Sequence, residues 1–488
     1  MRMMELIFEK SRQGSKGYRV PEADVPECDL DREIPPTLLR KELDLPELAE
    51  VDVVRHYTAL SRMNFGVDTG FYPLGSCTMK YNPKINEDLS RLPGFEKLHP
   101  YAPVEWSQGA LKLMYELKIL LCEIFGMADF SLQPAAGAHG ELTGMMICRK
   151  YFEKKKERRT RILIPDTAHG TNPASGALGG FEVLTVPSDA EGNIDLAHLR
   201  QMMTDEVAAL MLTNPNTLGL FERHIEEIAD IVHVKGGILY GDGANANAFL
   251  GRCRPGDLGF DLIQINLHKT FSSPHGAGGP GSGPVGVAAH LVDFLPGPQV
   301  VKEGDTYALK YDLPDSIGRV RSFYGNFAVF VRAYAYIRAL GAEGLKKVAD
   351  MAVLNANYVR ARLKPFFDLP YDRICMHECV FSGRRQLKSA GVRTAHMAKR
   401  LIDYGFHPPT VYFPLIVPEA MMIEPTETES LKTLDEFCEA MIAIAREAEA
   451  DPNTLRQAPL TTPLRHLDEV LAAREPDLAW KGKRGNGE

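Results

Sequence analysis

DLIQINLHKTFSSPHGAGGPGSGPVGV, residues 261–287, decides how the rest of the chain is read. The apolar run 262–267 has the length and composition of a buried strand, and where it stops it delivers His268 and Lys269 to a loop rich in Gly, Ser and Pro. An ammonium group on a four-carbon stem is rarely held in an apolar crevice unless its charge is paired or its proton affinity is lowered for chemistry. A lysine so placed can form a Schiff base with a carbonyl compound. A surface lysine after an edge strand is the other reading of these residues, and the neighbouring segments decide between the two.

Working outward, apolar runs predict strands at 161–165 (RILIP), 182–187 (EVLTVP), 208–215 (AALMLTNP), 237–243 (GILYGDG) and 285–289 (VGVAA), with helical patterns between most of them. This alternation is that of an α/β fold with a large, mainly parallel sheet, whose ligands collect at the carboxyl ends of the strands. Four such ends are polar: 166–175 (DTAHGTNPAS, with His169), 213–217 (TNPNT, with Thr213), 242–247 (DGANAN, with Asp242 and Asn245), and Asn266 with His268 and Lys269. An amphipathic helix is predicted at 108–125. Beyond it, SLQPAAGAHGELTG turns through Ala136, Gly137 and Ala138 straight into another helix, which His139 begins. Small residues let backbone amides approach an anion, and a helix N-terminus adds roughly half a unit of positive charge, so this turn is a candidate phosphate cradle.

Length and composition set the frame. A chain of 488 residues holds two or three domains. The expected division is an N-terminal arm and interface segment at 1–95, a large domain at 96–340, a smaller C-terminal α/β domain at 341–450, and a tail at 451–488. In the smaller domain, helical patterns at 343–363, 393–404 and 428–449 flank strand-like HECVF and TVYFPLIV. The excess of 64 acidic over 56 basic residues argues against a nucleic-acid surface. No run approaches the roughly 20 apolar residues that span a bilayer, and the N-terminus lacks a signal-peptide core, which predicts a cytoplasmic protein without a membrane anchor. The eight cysteines are too thinly spread for a disulfide framework; Cys375 and Cys379 are spaced to share a helix face.

An aldehyde cofactor that carries a phosphate and a pyridine ring needs a lysine to hold it, a carboxylate at the ring nitrogen, a phosphate cradle, and a flat group over the ring. Lys269, Asp242, the 136–138 turn and His169 supply one candidate each. Asp-Gly is also an ordinary turn dipeptide, and a lone histidine is commonly structural. The order of these elements resembles that of fold type I pyridoxal-phosphate-dependent enzymes. More specifically, LGSCTMKYNPK, QPAAGAHGELTG, DTAHGTNPAS, TNPNTLGLFE, NLHKTFSSPHGAGGPGSGPVGV, SIGRVRSFYGNF and MMIEPTETES resemble the glycine dehydrogenase (decarboxylating) P-protein family, from about residue 60 to the C-terminal region. In length the chain is similar to the C-terminal half of the long single-chain members, the half that keeps the lysine and that in many prokaryotes is subunit 2 of a split enzyme.

The resemblance implies decarboxylation of glycine on pyridoxal 5'-phosphate and transfer of the aminomethyl group to the lipoyl arm of H-protein. T-protein and L-protein are the other members of that glycine cleavage system, and a subunit 1 would complete a heterodimer and, doubled, a heterotetramer. Under it Lys269 holds the cofactor, Asp242 keeps the ring nitrogen protonated and Asn245 faces the ring hydroxyl. Ala136, Gly137, Thr213, Asn266 and His268 are further cofactor contacts, His169 covers the ring, and the loop 272–283 is a candidate gate. Leu460, in APLTTP, stands where the family is expected to carry a histidine. Arg62, Arg319 and Arg321 are equally available for the glycine carboxylate. The competing readings are another fold type I enzyme, such as a larger amino-acid decarboxylase or a cysteine desulfurase with Cys77, in a loop-like stretch, as its nucleophile, and a non-catalytic scaffold subunit.

Overall fold

The computed structural model describes residues 5–40, 43, 45–276 and 281–478, so the expected gate at 272–283 falls partly outside the described residues. Contacts divide the chain into Gly66–Ala458 and a second unit made of Met1–Phe65 with Pro459–Glu488. In the second unit, the predicted arm helix runs Glu50–Ser61 and buries His56.

Gly66–Ala458 is built on a seven-stranded sheet of β1 (Asp129–Ser131), β2 (Arg161–Pro165), β3 (Glu182–Val186), β4 (Val207–Thr213), β5 (Ile238–Gly243), β6 (Leu262–Ile265) and β7 (Val285–Val287), in the order β1-β7-β6-β5-β4-β2-β3. Strands β2 to β6 are parallel, and β7 runs against both its neighbours. Every residue of β4, β5 and β6 is buried, which is why these strands read as continuous apolar runs rather than alternating ones. The chain goes from β2 outward to β3 and returns to the other side of β2 as β4. That reversal of direction opens a crevice at the carboxyl ends of the strands, where His169, Thr213, Asp242 and Lys269 all emerge.

The helix Gln108–Phe125 lies where the sequence predicts it. β1 was not legible because three residues carry too little periodicity, and the hairpin of β8 (Gln299–Glu303) and β9 (Thr306–Lys310) is half-exposed and polar at its ends. The helix Phe327–Leu363 leaves helical geometry at Gly341, with φ 60° and ψ −174°, a conformation that glycine tolerates. Beyond it, β10 (Cys379–Ser382), β11 (Thr410–Val411) and β12 (Ala420–Ile423) form an antiparallel sheet in the order β10-β12-β11. The helices Thr394–Asp403 and Leu431–Ala450 pack Met397, Phe437 and Met441 into the same core as Phe381 and Met422 of this sheet.

Two expectations need correction. TVYFPLIV is a strand only at Thr410 and Val411, because Tyr412 turns to φ 58° and breaks the ladder; the partner strand Ala420–Ile423 was missed. Cys375 and Cys379 do not share a helix, since Cys379 opens β10, and all eight cysteines are free thiols. No described helix is long and apolar enough to cross a membrane.

Candidate active site

A cavity of about 140 Å³ opens at the carboxyl ends of β4, β5 and β6. Of the residues singled out from sequence, Gly137, Ala138, His169, Thr213, Asp242, Asn245, Asn266 and Lys269 line it, and Ser76, Glu141, Thr171 and Thr217 join them. Lys269 sits on the one-turn helix Leu267–Thr270, and its Nζ donates to the Ser76 carbonyl at 2.8 Å. Residues 74–80, within the stretch expected from sequence to be an arm and interface segment, therefore meet the lysine directly.

Asp242 is 3 % exposed and accepts four hydrogen bonds: Oδ2 from Asn172 Nδ2 and Thr213 Oγ1, each at 3.2 Å, and Oδ1 from the Ala244 amide at 3.0 Å and from Gln264 Nε2. Four donors fix this buried carboxylate in one orientation. Asn172 and Gln264 were not found from sequence. Gln264 carried a signal, since it is the one polar residue inside the LIQI strand, and parallel register sets it opposite Asp242.

Two features fit a phosphorylated ring. The 19-residue helix Gly137–Lys155 begins at Ala136 with no side-chain cap, so its first amides are open to an anion. A Cβ at Gly137 would lie 2.8 Å from Asn266 Nδ2, so only glycine leaves this end clear, and Asn266 Oδ1 is buried without a partner. Asn245 lines the cavity while donating to the Pro215 carbonyl at 2.9 Å. His169 stands exposed at the mouth, with its ring edge-on to Phe413 at 5.5 Å and Nδ1 3.0 Å from Thr171 Oγ1.

Ala136 and His268 lie beside the cavity rather than in its wall. The Ala136 carbonyl packs where a Cβ on Gly283 would sit, 2.0 Å away. His268 Nδ1 accepts from the Ser282 amide at 3.1 Å, and burial with the Lys269 charge beside it depresses its pKa to about 3, so it is a neutral ring tying the loop's return to the lysine. Among the three arginines, Arg321 is bound to Asn326 Oδ1 at 2.9 Å, and Asn326 reaches the Ala135 carbonyl beside the cradle at 3.2 Å. Arg319 is engaged with Tyr101 and the Ser322 carbonyl, and Arg62 belongs to the other unit.

Glu141 is the titratable wall residue that sequence reasoning missed. It lies one turn into the cradle helix, 4 % exposed, and accepts from Thr171 Oγ1 at 2.9 Å and Ser175 Oγ at 3.1 Å. Burial first, and the Asp242 charge second, raise its pKa to about 7. An acid whose folded pKa is raised costs stability as pH climbs from its unfolded value, about 4.3, toward 7, because the unfolded chain releases the proton first. Glu141→Gln removes that dependence. The difference in unfolding free energy, Glu141→Gln minus native, is expected to rise by on the order of 3 kcal/mol between pH 4.5 and 7, measured by denaturant titration across that range.

The family model described as glycine cleavage system P-protein matches residues 28–308, and that described as glycine dehydrogenase, C-terminal domain, matches 348–462. The "probable glycine dehydrogenase (decarboxylating) subunit 2" of Caldanaerobacter subterraneus subsp. tengcongensis is 61% identical over 477 residues, covering 97% of this chain and 98% of that protein. The chain belongs to the glycine cleavage system P-protein family. The Thermotoga maritima protein of the same name is 56% identical over 477 residues, 98% of this chain and 100% of its own length. Among solved structures, an inhibitor-bound glycine decarboxylase (P-protein) superposes with a TM-score of 0.73 at 22% identity, over 85% of this chain and 94% of that one. The P-protein fold seen here is that of fold type I pyridoxal-phosphate enzymes. Burial raises the Cys77 thiol to a pKa of about 11 despite the nearby Lys269 charge, which disfavours the thiolate that a desulfurase would need there.

Proposed function

We propose that this chain decarboxylates glycine on pyridoxal 5'-phosphate and passes the remaining aminomethyl group to the lipoyl arm of H-protein. The relatives are named for glycine decarboxylation. The observation on this chain that carries the reading is that the Lys269 amine, the Asp242 carboxylate and the open helix end at Gly137 meet in one cavity. Bound there, the cofactor supplies an electron sink conjugated to the substrate nitrogen.

The chain's own groups do the rest. Lys269 would hold the cofactor's aldehyde carbon until the glycine amine takes its place, Asp242 would keep a proton on the ring nitrogen, and the amides after Ala136 would receive the phosphate. Asn245 and Thr213 would border the ring's edge and His169 would cover its face. The electron pair left when CO2 departs would form a bond from the aminomethyl carbon to one lipoyl sulfur as the S–S bond breaks and the other sulfur leaves as a thiol, so the walls have to keep out the water that would otherwise protonate that carbon. T-protein and L-protein act on the loaded H-protein afterwards. The relatives' designation as subunit 2 supports a homologous subunit 1 as the structural partner, in a dimer of heterodimers.

Reduction of the cofactor-loaded protein with borohydride, followed by peptide mapping, tests the assignment. The visible absorption band is expected to vanish and the phosphopyridoxyl adduct to appear on Lys269 alone. An adduct on another lysine, such as Lys80, sinks it, and protein with no such band at all restores the scaffold reading.

A further inference from the structure

One buried carboxylate cluster has no part in the chemistry above. Residues 75–80 run between Lys269 and the C-terminal sheet, and their polar anchors are carboxylates. The Ser76 amide donates to Glu378 Oε2 at 2.8 Å, while the Thr78 amide and hydroxyl donate to Glu424 at 2.8 and 2.6 Å. Lys80 Nζ reaches Glu427 at 2.8 Å and the Thr270 carbonyl, next to Lys269, also at 2.8 Å. Ser76 and Thr78 hold left-handed backbone, φ 64° and 48°, which non-glycine residues keep only when their surroundings over-determine it. A Cβ on Gly75 would lie 2.2 Å from Met422 Cγ, so the turn is pressed against β12. The product of this clamp is a carbonyl, that of Ser76, aimed at Lys269 Nζ.

Glu378 and Glu424 are both 0 % exposed, and His377 Nε2 lies 3.8 Å from the first and 4.0 Å from the second. Both His377 nitrogens and Glu378 Oε1 are buried without partners. These are donors of a metal-binding type, but bonds of about 2.1 Å would bring neighbouring donors to roughly 3.0 to 3.5 Å, closer than they stand. The geometry is that of an acid pair beside a neutral imidazole. Two carboxyls at this depth cannot both ionise: burial and the Glu424 charge push Glu378 far up, and burial pushes Glu424 up as well. His377 offers no countercharge, since burial and the Lys269 charge hold its pKa near 3. The cation facing the pair is Lys269, and the other titratable groups around the pair are Cys77, Cys375, Cys379 and Glu427; on its cavity side Lys269 faces Asp242, Glu141, His169, His268 and His275, which every variant below leaves in place.

We propose that Glu378 and Glu424 are positioning residues for Lys269: through the 75–80 turn they hold the Ser76 carbonyl as the acceptor for the lysine's ammonium whenever that side chain is not covalently engaged, and they keep a negative charge on that side of it. A lysine displaced by the substrate amine needs such a place, because a neutral amine left free in the cavity would compete with the substrate nitrogen, whereas an ammonium held on the Ser76 carbonyl has no lone pair with which to do so. The inference rests on Lys269 being the reactive amine. Its test therefore reads the amine in cofactor-free protein, apart from the mapping experiment that tests that assignment.

Competitive labelling of the cofactor-free chain with a trace acylating reagent across pH, read by mass spectrometry, gives the midpoint at which Lys269 loses its proton. Glu378→Gln keeps an acceptor for the Ser76 amide and leaves the charge on Glu424, so its midpoint is expected within about 0.3 pH unit of native. Glu378→Gln combined with Glu424→Gln removes the charge, and Glu378→Ala frees the turn; each is expected to lower the midpoint by about one unit, tenfold in proton affinity. Thermal melting identifies the variants that fold, and if the double variant does not, the contrast of Glu378→Ala with Glu378→Gln decides. Folded Glu378→Ala and double variants with the native midpoint overturn the proposal, and a full shift in Glu378→Gln alone overturns the retained negative charge.

Discussion

Asp242→Asn is expected to slow glycine–bicarbonate exchange by roughly a hundred- to ten-thousandfold, the range over which a positioned acid or base acts. The substitution isolates charge from shape because the surrounding donors can adapt. Oδ1 of the new amide keeps the Ala244 amide and Gln264 as its donors, and its NH2 turns toward Asn172 and Thr213. Asn172 is free to flip, since its Oδ1 is buried without a partner, and the Thr213 hydroxyl can rotate. The fold should therefore survive, whereas a ring nitrogen that no longer faces a carboxylate loses its proton near neutral pH and withdraws electrons poorly. Cofactor content by absorbance and exchange of labelled bicarbonate into the glycine carboxyl measure the two sides separately. Exchange near the native rate in variant protein that retains cofactor would move the electron-sink role away from Asp242.

What sequence made legible here was local. Buried parallel strands are apolar runs and stop where the crevice begins, so Thr213, Asp242, Asn245, Asn266 and Lys269 could be picked out one strand end at a time, and the uncapped Gly137 turn announced itself through its small residues. What stayed hidden depends on register and long-range pairing. Gln264 faces Asp242 only because β5 and β6 pair as they do. Glu141 looks like any residue one turn into a helix until β5 sets Asp242 beside it. Glu378 and Glu424 lie more than 100 residues beyond Lys269 in sequence, in HECVF and MMIEPTE, and only the antiparallel pairing of β10 with β12 turns both toward the 75–80 turn. A strand-like run such as TVYFPLIV misled for the converse reason, since its apolar side chains pack around a turn and not along a ladder.

The chain alone is expected to be a poor catalyst, and adding an equimolar homologous subunit 1 is expected to raise glycine–bicarbonate exchange by on the order of a hundredfold, the usual consequence of correcting a misplacement of about 1 Å at a reacting centre. The physical argument begins with the segment 5–40. It holds only two four-residue helical turns, at Ile7–Lys10 and Leu30–Glu33, while Tyr18, Val20 and Leu38 are 82 %, 83 % and 75 % exposed. A stretch that exposes large apolar side chains and makes so little structure of its own gains its stability by lying on another surface. The relatives' designation as subunit 2 makes a homologous subunit the first partner to try. Deleting residues 5–40 is expected to abolish the gain while leaving the Lys269 adduct intact, which separates assembly from cofactor binding. Titration of subunit 1 into this chain, followed by exchange rate and by mass in solution, decides the matter: full activity without the partner, or no gain at a one-to-one ratio, rules out the split enzyme, and a saturating rise at one equivalent fixes the stoichiometry of the active unit.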